Sequence, residues 1–522
     1  MGWWIALGAL VVFLLGVAVH DLIQTRHAIL RNYPVIGHLR FILEAFGPEL
    51  RQYIVTSNDE ERPFSRDERR WIYTSAKQRD NTFGFGTDNA VDSIPDYIII
   101  KHAAFPHAPL PGESARPVWD FPLPAAKVMG ASHGRAGAFR PQSIVNISAM
   151  SFGSLSGAAI TALNEGAAMV GCLHNTGEGG VSPHHRHGGE LVMQIGTGYF
   201  GCRDDHGRFS MAALLETIDG APVRALEIKL SQGAKPGLGG LLPGAKVTPT
   251  IAAIRGIPVG EDCRSPNRHS AFGDVDTLIE FVESLAAATG LPVGLKSAVG
   301  EQQFWEELAA RMRSTGAGPD FITVDGGEGG TGAAPLVFSD HVALPFLRAF
   351  PRVYGALAAE GLHDDVVFIG SGRLGMANRG LTAMAMGCDM VNVAREAMLA
   401  IGCIQSQRCH TGRCPTGVAT QSARLERGLD PTVKSVRAAN YLAALRHELL
   451  RLARACGHDH PGLVRPEQVE LLQEGQRSVT LGELSGYGPT WGTPSASDMD
   501  GLRREWPVVG VPEAGGPAGP AR

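Results

Sequence analysis

Along the middle of the chain, short runs of β-branched and apolar residues alternate with longer stretches in which Ala and Leu recur at helical spacing. This alternation predicts successive βα units, a parallel sheet with helices packed outside it. Between residues 143 and 396 eight runs qualify as strands: SIVNISAM, CLHNTG, LVMQIGT, ALEIKLS, PVGLKSA, FITVDGG, VVFIGSG and MVNVARE. Eight strands predict closure into an α/β barrel of the (β/α)8, or TIM, type. The helical pattern is clearest at 157–170, 275–287, 304–314 and 378–386, with a further Arg/Ala/Leu helix over 433–456.

Outside this core the pattern changes. Residues 3–19, WWIALGALVVFLLGVAV, are an uncharged apolar run. Its length is at the short end of what crosses a hydrocarbon layer of ~30 Å. The run starts MGW and leaves through His20, Asp21 and Leu22, without the positive start and small-residue cleavage site of a secretory signal. An uncleaved anchor helix is therefore expected, in preference to a signal peptide or a buried helix. Arg26, Arg31 and Arg40 follow the run and nothing basic precedes it, so the positive-inside tendency places the remaining chain in the cytoplasm, on a single-pass anchor in the cell membrane. The expected organisation is an anchor at 1–22, an adaptor at 23–140 with one helix near 39–54, the barrel at 141–400, a cysteine segment at 401–425 and a helical extension at 426–522. The end of that extension, VPEAGGPAGPAR, has the composition of a disordered tail.

The 522 residues are 44% hydrophobic and 19% charged, enough apolar material for a large core. A formal net charge of -5 carries no basic bias, which argues against nucleic acid and for a small-molecule site. Eight cysteines at this length do not make a disulfide framework and suit a reducing compartment.

Barrels of this type collect their chemistry at the C-terminal ends of the strands. There the sequence offers Ser148 and Met150 in SAMSFG, Glu178 in GEGG, Gln194, Lys229, Lys296, and Asp325, Gly326 and Gly327 in DGGEGGT. Glycines let backbone approach a planar ligand, and a lysine beside a flavin's pyrimidine edge stabilises the charge of the reduced ring. Taken singly, each is a turn or a surface charge; their recurrence at strand ends points to a site. Gly370, Ser371, Gly372, Arg373, Leu374 and Gly375 satisfy the local part of the dinucleotide-binding fingerprint. Only one more strand follows, so the segment reads as the seventh strand of a barrel and not as the start of a Rossmann domain. Strands seven and eight are where such barrels bind a phosphate, and FMN suits the slot.

The stretch CIQSQRCHTGRCPTGVATQ brings Cys403, Cys409 and Cys414 together on one segment. Three readings are open: an iron–sulfur cluster on three thiolates, structural zinc with His410 as fourth ligand, and unligated thiols. Zinc sites favour C-x2-4-C pairs, and the five-residue first gap here fits them poorly.

The segments SAMSFGSLS, NTGEGG, EIKLSQGAKPG, GGTGAAP and CPTGVATQ, in this order, resemble the FMN-binding synthase domain of glutamate synthase over roughly residues 90 to 425. The likeness is nearest to stand-alone FMN-binding glutamate synthase-like proteins with an N-terminal hydrophobic segment. The resemblance implies noncovalent FMN, a 3Fe-4S cluster on Cys403, Cys409 and Cys414, and reduction of the imine of 2-oxoglutarate and ammonia to glutamate. It assigns the substrate carboxylates to Lys235 in GAKPG and Arg255 in AAIRG, and puts Glu178 near the imine-forming carbon. Met150 then packs on the flavin, Lys296 lies at its pyrimidine edge, and Gly372 meets the phosphate, where position adds Arg373 and Arg395.

Departures from the family carry their own expectations. No cysteine precedes Cys172, so the family's glutaminase nucleophile is missing from this sequence. Free ammonia and a separate electron donor, ferredoxin-like or a reductase, are the implied partners. The family's KPGEGGQ reads KPGLGGL here, with Leu238 and Leu241 in place of a carboxylate and an amide. A related oxo acid thus competes with 2-oxoglutarate as the substrate. The alternative is a membrane-anchored flavin and iron–sulfur subunit that relays electrons without making glutamate. Retention of Lys235, Arg255 and Glu178 favours chemistry, because a relay needs no dicarboxylate clamp.

Overall fold

The computed structural model describes residues 2–91, 94–109, 117–474 and 477–506. The tail at 511–522, expected to be disordered, lies outside the described residues. Contacts divide the chain into two units, Met1–Arg69 and Arg70–Arg522.

In the second unit the eight expected runs form eight parallel strands. They are β1 (Val145–Ile147), β2 (His174–Asn175), β3 (Leu191–Ile195), β4 (Val223–Lys229), β5 (Val293–Ser297), β6 (Phe321–Asp325), β7 (Val367–Ser371) and β8 (Met390–Val393). They are hydrogen-bonded in chain order into a closed barrel. The ring closes where β8 pairs with β1, Asn392 opposite Asn146. Closure pairs every strand on both sides, and the covering of both sheet faces explains why the strands read as apolar runs without alternation. The fingerprint-like segment is β7 of this barrel, its Gly370 and Ser371 in register with Val391 and Asn392 of β8.

The outer helices Gly157–Val170, Val275–Thr289, Gln303–Thr315 and Ala377–Ala385 lie where the pattern put them. Their ends have local causes. Ser156 accepts the Ala159 N–H and Asp274 that of Thr277, which satisfies otherwise orphaned donors; Gly171 and Gly290 then turn the chain left-handed after the last turn. The helix Pro431–Ala455 runs beyond the barrel and packs on Gly157–Val170. At Gly166 a Cβ would lie 2.7 Å from Ala438 Cβ, so the contact requires glycine. Tyr441 on the long helix is fully buried and donates to the Gly375 carbonyl at 2.8 Å, fixing the helix against the turn after β7.

The N-terminal end of the barrel is plugged. Leu123 bridges Ser143 and Met129 bridges Phe139, and this return drives Met129 and Phe139 into a cluster with Leu173, Val192, Phe321, Val367 and Met390. Pattern alone groups most of this segment with the adaptor, because its apolar residues are too scattered to show a period. Asp320, 1% exposed, clasps the plug to the strands: it accepts from His133 Nδ1 at 2.8 Å, Arg135 Nε at 3.1 Å and the Val293 N–H at 2.7 Å. Elsewhere, Ile98–Ile100, Val469–Leu472 and Ser478–Thr480 make a small antiparallel sheet from both ends of this unit.

The first unit holds the helix Gly2–Ile23, which is long and apolar enough to cross a membrane by length and composition. The helix expected near 39–54 runs over His38–Leu50 and continues as a π-helical segment, Arg51–Val55.

Asp320→Ala should lower stability by about 1–3 kcal/mol, since it leaves the buried Val293 N–H without its acceptor and removes one of the two carboxylates that hold Arg135, which keeps Glu283 at 2.7 Å. Guanidinium denaturation of the two proteins side by side measures this, and an unchanged midpoint would show that the clasp contributes nothing.

Candidate active site

The strand ends converge on one mouth, and the loop after β4 supplies most of its charge. Lys229, the last residue of β4, places Nζ 3.1 Å from Glu178 Oε1 and 3.1 Å from Gln232 Oε1. Lys235 follows in the same loop. Arg255 is the final residue of the short helix Pro249–Arg255, whose start is capped by Thr248. Its guanidinium is buried, donates to the Phe152 carbonyl at 3.1 Å, lies over the Phe200 ring at 5.0 Å and leaves Nε without a partner. Burial alone pushes the Glu178 carboxyl upward, but the Lys229, Lys235 and Arg255 charges hold it below its ordinary value. Burial and the neighbouring Lys229 charge lower the Lys235 ammonium, with Glu178 opposing. Glu178, Lys229, Lys235 and Arg255 are therefore one electrostatic cluster. Leu238 and Leu241 lie on the same loop, 38% and 43% exposed.

A second group sits at the ends of β5 to β8. Lys296 is buried, its Nζ 3.6 Å from Asp325 Oδ2, longer than a hydrogen bond. That Asp325 oxygen accepts the Gly233 N–H at 2.9 Å, and Gln232 donates to the Gly330 carbonyl at 2.8 Å, so the loops after β4 and β6 are stitched together. At Gly233 a Cβ would come within 1.9 Å of the Gly326 carbonyl oxygen, and no other residue fits. Gly326 N–H donates to Ser371 O at 2.9 Å and Gly327 N–H to Leu344 O at 2.8 Å. Gly372 and Arg373 follow β7 with φ of +120° and +54°, a left-handed turn that Arg373 makes at some cost. Arg395 donates to the Glu328 carbonyl. Ser148 N–H donates to Val393 O at 2.9 Å, and the Met150 side chain is 9% exposed.

Two of the expected residues are engaged within the protein itself. Gln194 points its amide into the barrel, donating to Glu227 Oε1 at 2.7 Å. Gly370 packs against Leu374, Phe346 and Cys388, where a Cβ would lie 2.7–3.1 Å away. Sequence reasoning passed over Glu227, and it included Glu328 only within DGGEGGT, without a role of its own. Glu227 is 1% exposed and accepts from Asn175, Gln194 and Thr323 at 2.7–2.8 Å, which makes it the hub of the polar barrel interior. The available signal was a carboxylate two residues before Lys229, on the same inward face of an otherwise apolar strand. Glu328 accepts the Phe346 N–H at 2.9 Å, and burial raises its carboxyl.

The cysteine segment lies against the first barrel loop: Gln421 donates to the Leu155 carbonyl at 2.8 Å and Ser156 N–H to Val418 O at 2.9 Å. Lys246, 7% exposed, donates to the Cys409 carbonyl at 2.8 Å. Burial raises the Cys414 thiol, but hydrogen bonds from the Ala419, Thr416 and Val418 backbone and the Thr416 hydroxyl bring it below its ordinary value. The donor chemistry therefore suits thiolate ligation. Among the described residues, however, no three His, Cys, Asp or Glu side chains converge on a metal-holding position.

A family model described as a conserved region in glutamate synthase matches residues 127–459. A glutamate synthase large subunit-like protein of Bacillus subtilis is 36% identical, over 91% of this chain and 98% of its own. The archaeal-type glutamate synthase (NADPH) of Thermotoga neapolitana is 36% identical over 60% of this chain, which spans 59% of that relative's length. Among solved structures, a flavocytochrome b2 variant with sulfite bound aligns over 88% of this chain and 91% of its own at 12% identity and a TM-score of 0.44.

The lowered Glu178 carboxyl has a pH signature. It contributes stability above the unfolded value of about 4.3, and loses it as pH falls through the lower folded value. Glu178→Gln should therefore flatten the acid limb of the stability profile below about pH 5. Denaturation midpoints of both proteins across this range are the measurement, and parallel acid limbs would show that the cation cluster does not stabilise the carboxylate.

Proposed function

This chain belongs to the glutamate synthase family of oxidoreductases, and from that premise we propose that it reduces the imine formed from 2-oxoglutarate, or a related oxo acid, and ammonia. The observation that carries this reading is the gathering of Lys229, Lys235 and Arg255 around Glu178 at the barrel mouth. Fixed cations in a half-buried mouth suit a dicarboxylate, and a guanidinium can grip one carboxylate through paired N–H bonds. The unpartnered Nε of Arg255 leaves donor capacity for that grip. Glu178, kept ionised by the surrounding cations, takes up the proton lost by the attacking ammonia. Free ammonia is the nitrogen source in this reading.

FMN, when bound, supplies the hydride. Its holders in this proposal are Ser148, Met150, Lys229 and Lys296 on the ring side, with Ser371, Gly372, Arg373 and Arg395 toward the phosphate, beside the Asp325–Gly327 turn. The fit rests on the buried Lys296 ammonium, whose nearest carboxylate is beyond hydrogen-bond distance, and on a mouth lined by close-packed glycine backbone. Cys403, Cys409 and Cys414 are the proposed ligands of a 3Fe-4S cluster; three thiols on one loop and the lowered Cys414 thiol support this. Electrons come from a separate donor, and Gly2–Ile23 anchors the chain with the barrel on the cytoplasmic side.

A second reading, an electron relay without glutamate synthesis, draws on Leu238 and Leu241, which put apolar surface on the loop that should hold the substrate. One anaerobic experiment separates the two. Protein reduced with dithionite is mixed with 2-oxoglutarate and ammonium, and flavin reoxidation and amino acid are followed together. Product dependent on ammonium and indifferent to glutamine supports synthesis; transfer to an artificial acceptor with no product supports the relay.

Arg255→Ala should cost about 1.5–3 kcal/mol of substrate interaction, roughly 10- to 150-fold in kcat/KM, with flavin content unchanged. Loss of flavin in this variant would remove Arg255 from the substrate clamp. Metal analysis should find about three irons per chain, and one zinc per chain without iron would end the cluster assignment.

A further inference from the structure

The helix His38–Leu50 and its continuation Arg51–Val55 carry an apolar stripe that is left exposed among the described residues. Leu39, Ile42, Leu43, Phe46, Leu50 and Ile54 recur at intervals of three and four, the spacing of a single helix face. All six are exposed, Leu39 at 56%, Phe46 at 63% and Ile54 at 70%. Phe41, on the other side of the helix, packs instead against the His27 ring, centroids 5.3 Å apart. Arg40 and Arg51 flank the stripe on its polar margin.

The start of this helix is tied to the end of Gly2–Ile23. Asp21, fully buried, accepts the Val35 N–H at 2.9 Å, and His38 Nε2 lies 3.0 Å from both carboxylate oxygens. Gln24 locks the intervening turn, donating to the Asp21 and His27 carbonyls at 3.0 and 2.9 Å and accepting the His27 N–H at 2.8 Å. The apolar stripe therefore begins at the very end of the apolar span, where a membrane-crossing helix leaves the hydrocarbon. Between residues 24 and 55 four arginines (Arg26, Arg31, Arg40, Arg51) stand against two glutamates (Glu44, Glu49), a surplus that suits anionic headgroups.

We propose that residues 38–55 are an interfacial helix that seats this stripe in the surface of the bilayer crossed by Gly2–Ile23. A face of six large apolar side chains in water is an unstable arrangement, and the acyl boundary of an anionic leaflet covers it while the arginines reach the headgroups. The proposal rests on the reading of Gly2–Ile23 as a membrane span and adds a second, in-plane anchor to it.

The test uses the full chain reconstituted into phosphatidylcholine and phosphatidylglycerol vesicles doped with a diazirine-tailed lipid. After photolysis, peptides are mapped for lipid adducts. The proposal expects adducts on 39–54 as well as within 2–23. Leu43→Glu combined with Phe46→Glu should lose the adducts on 39–54, while keeping those in 2–23 and resistance to alkaline carbonate. Adducts within 2–23 alone would overturn the interfacial helix and leave the span intact. Adducts on neither segment would overturn the span itself, and crosslinks from 39–54 to a second polypeptide in place of lipid would assign the stripe to a protein partner and sink the proposal.

Discussion

Everything at the mouth depends on hydrogen bonds that run from β8 back to β1. A parallel sheet of eight strands as short as two to seven residues has little stability as an open ribbon, and its edges would invite pairing with other chains. Closing the ring removes the edges, and because every pairing in it is parallel all eight strands end on the same face. Residues separated by as much as 247 positions, Ser148 and Arg395, come to share one rim, the first held through its N–H on Val393 O. The plug at the opposite end lets the interior be filled from below by Met129 and Phe139, so that polar residues can occupy the upper half.

That upper half is built as a graded electrostatic column. Glu227 sits deepest, with no cation bonded to it and three uncharged donors satisfying its oxygens. Above it, Lys229 at the end of the same strand faces Glu178, and Lys235 and Arg255 add positive charge around that carboxylate. A buried carboxylate is tolerated only when its lone pairs are filled, and here the two amides and the Thr323 hydroxyl that fill them also tie β2, β3 and β6 to β4. Around Glu178 three cations face one carboxylate, so a bound anion would meet surplus positive charge that is already partly desolvated.

The loops of the rim are joined to each other more than to solvent. Gly233 and Gln232 bind the loop after β4 to that after β6; Lys246, from the same loop, reaches the cysteine segment, and Gln421 ties that segment to the loop after β1. The cluster around Glu178 and the thiols of 403–414 are thus parts of one connected loop layer. Displacement of the loop after β4 bears on both.

Much of this was legible in one dimension. Eight strands, four flanking helices and the long C-terminal helix follow from run length, period and caps, because barrel strands buried on both faces read as unbroken apolar runs and outer helices keep a strict stripe. The rejection of a dinucleotide fold at Gly370 also followed, since strand order is a property of sequence. Candidate residues at strand ends could be named for the same reason. Which of them touch was a matter of tertiary structure alone: Gln194 turns inward because Glu227 needs a donor, and Gly370 faces the helix layer because Leu374, Phe346 and Cys388 fill the space at its Cα. The plug at 123–143 was illegible, having neither period nor motif, and the parts played by Glu227 and Glu328 were not legible either, although the spacing to Lys229 and the DGGEGGT run put both residues in view. Their burial is created only when strands distant in sequence enclose them, and no local pattern records an environment assembled from the far side of a ring.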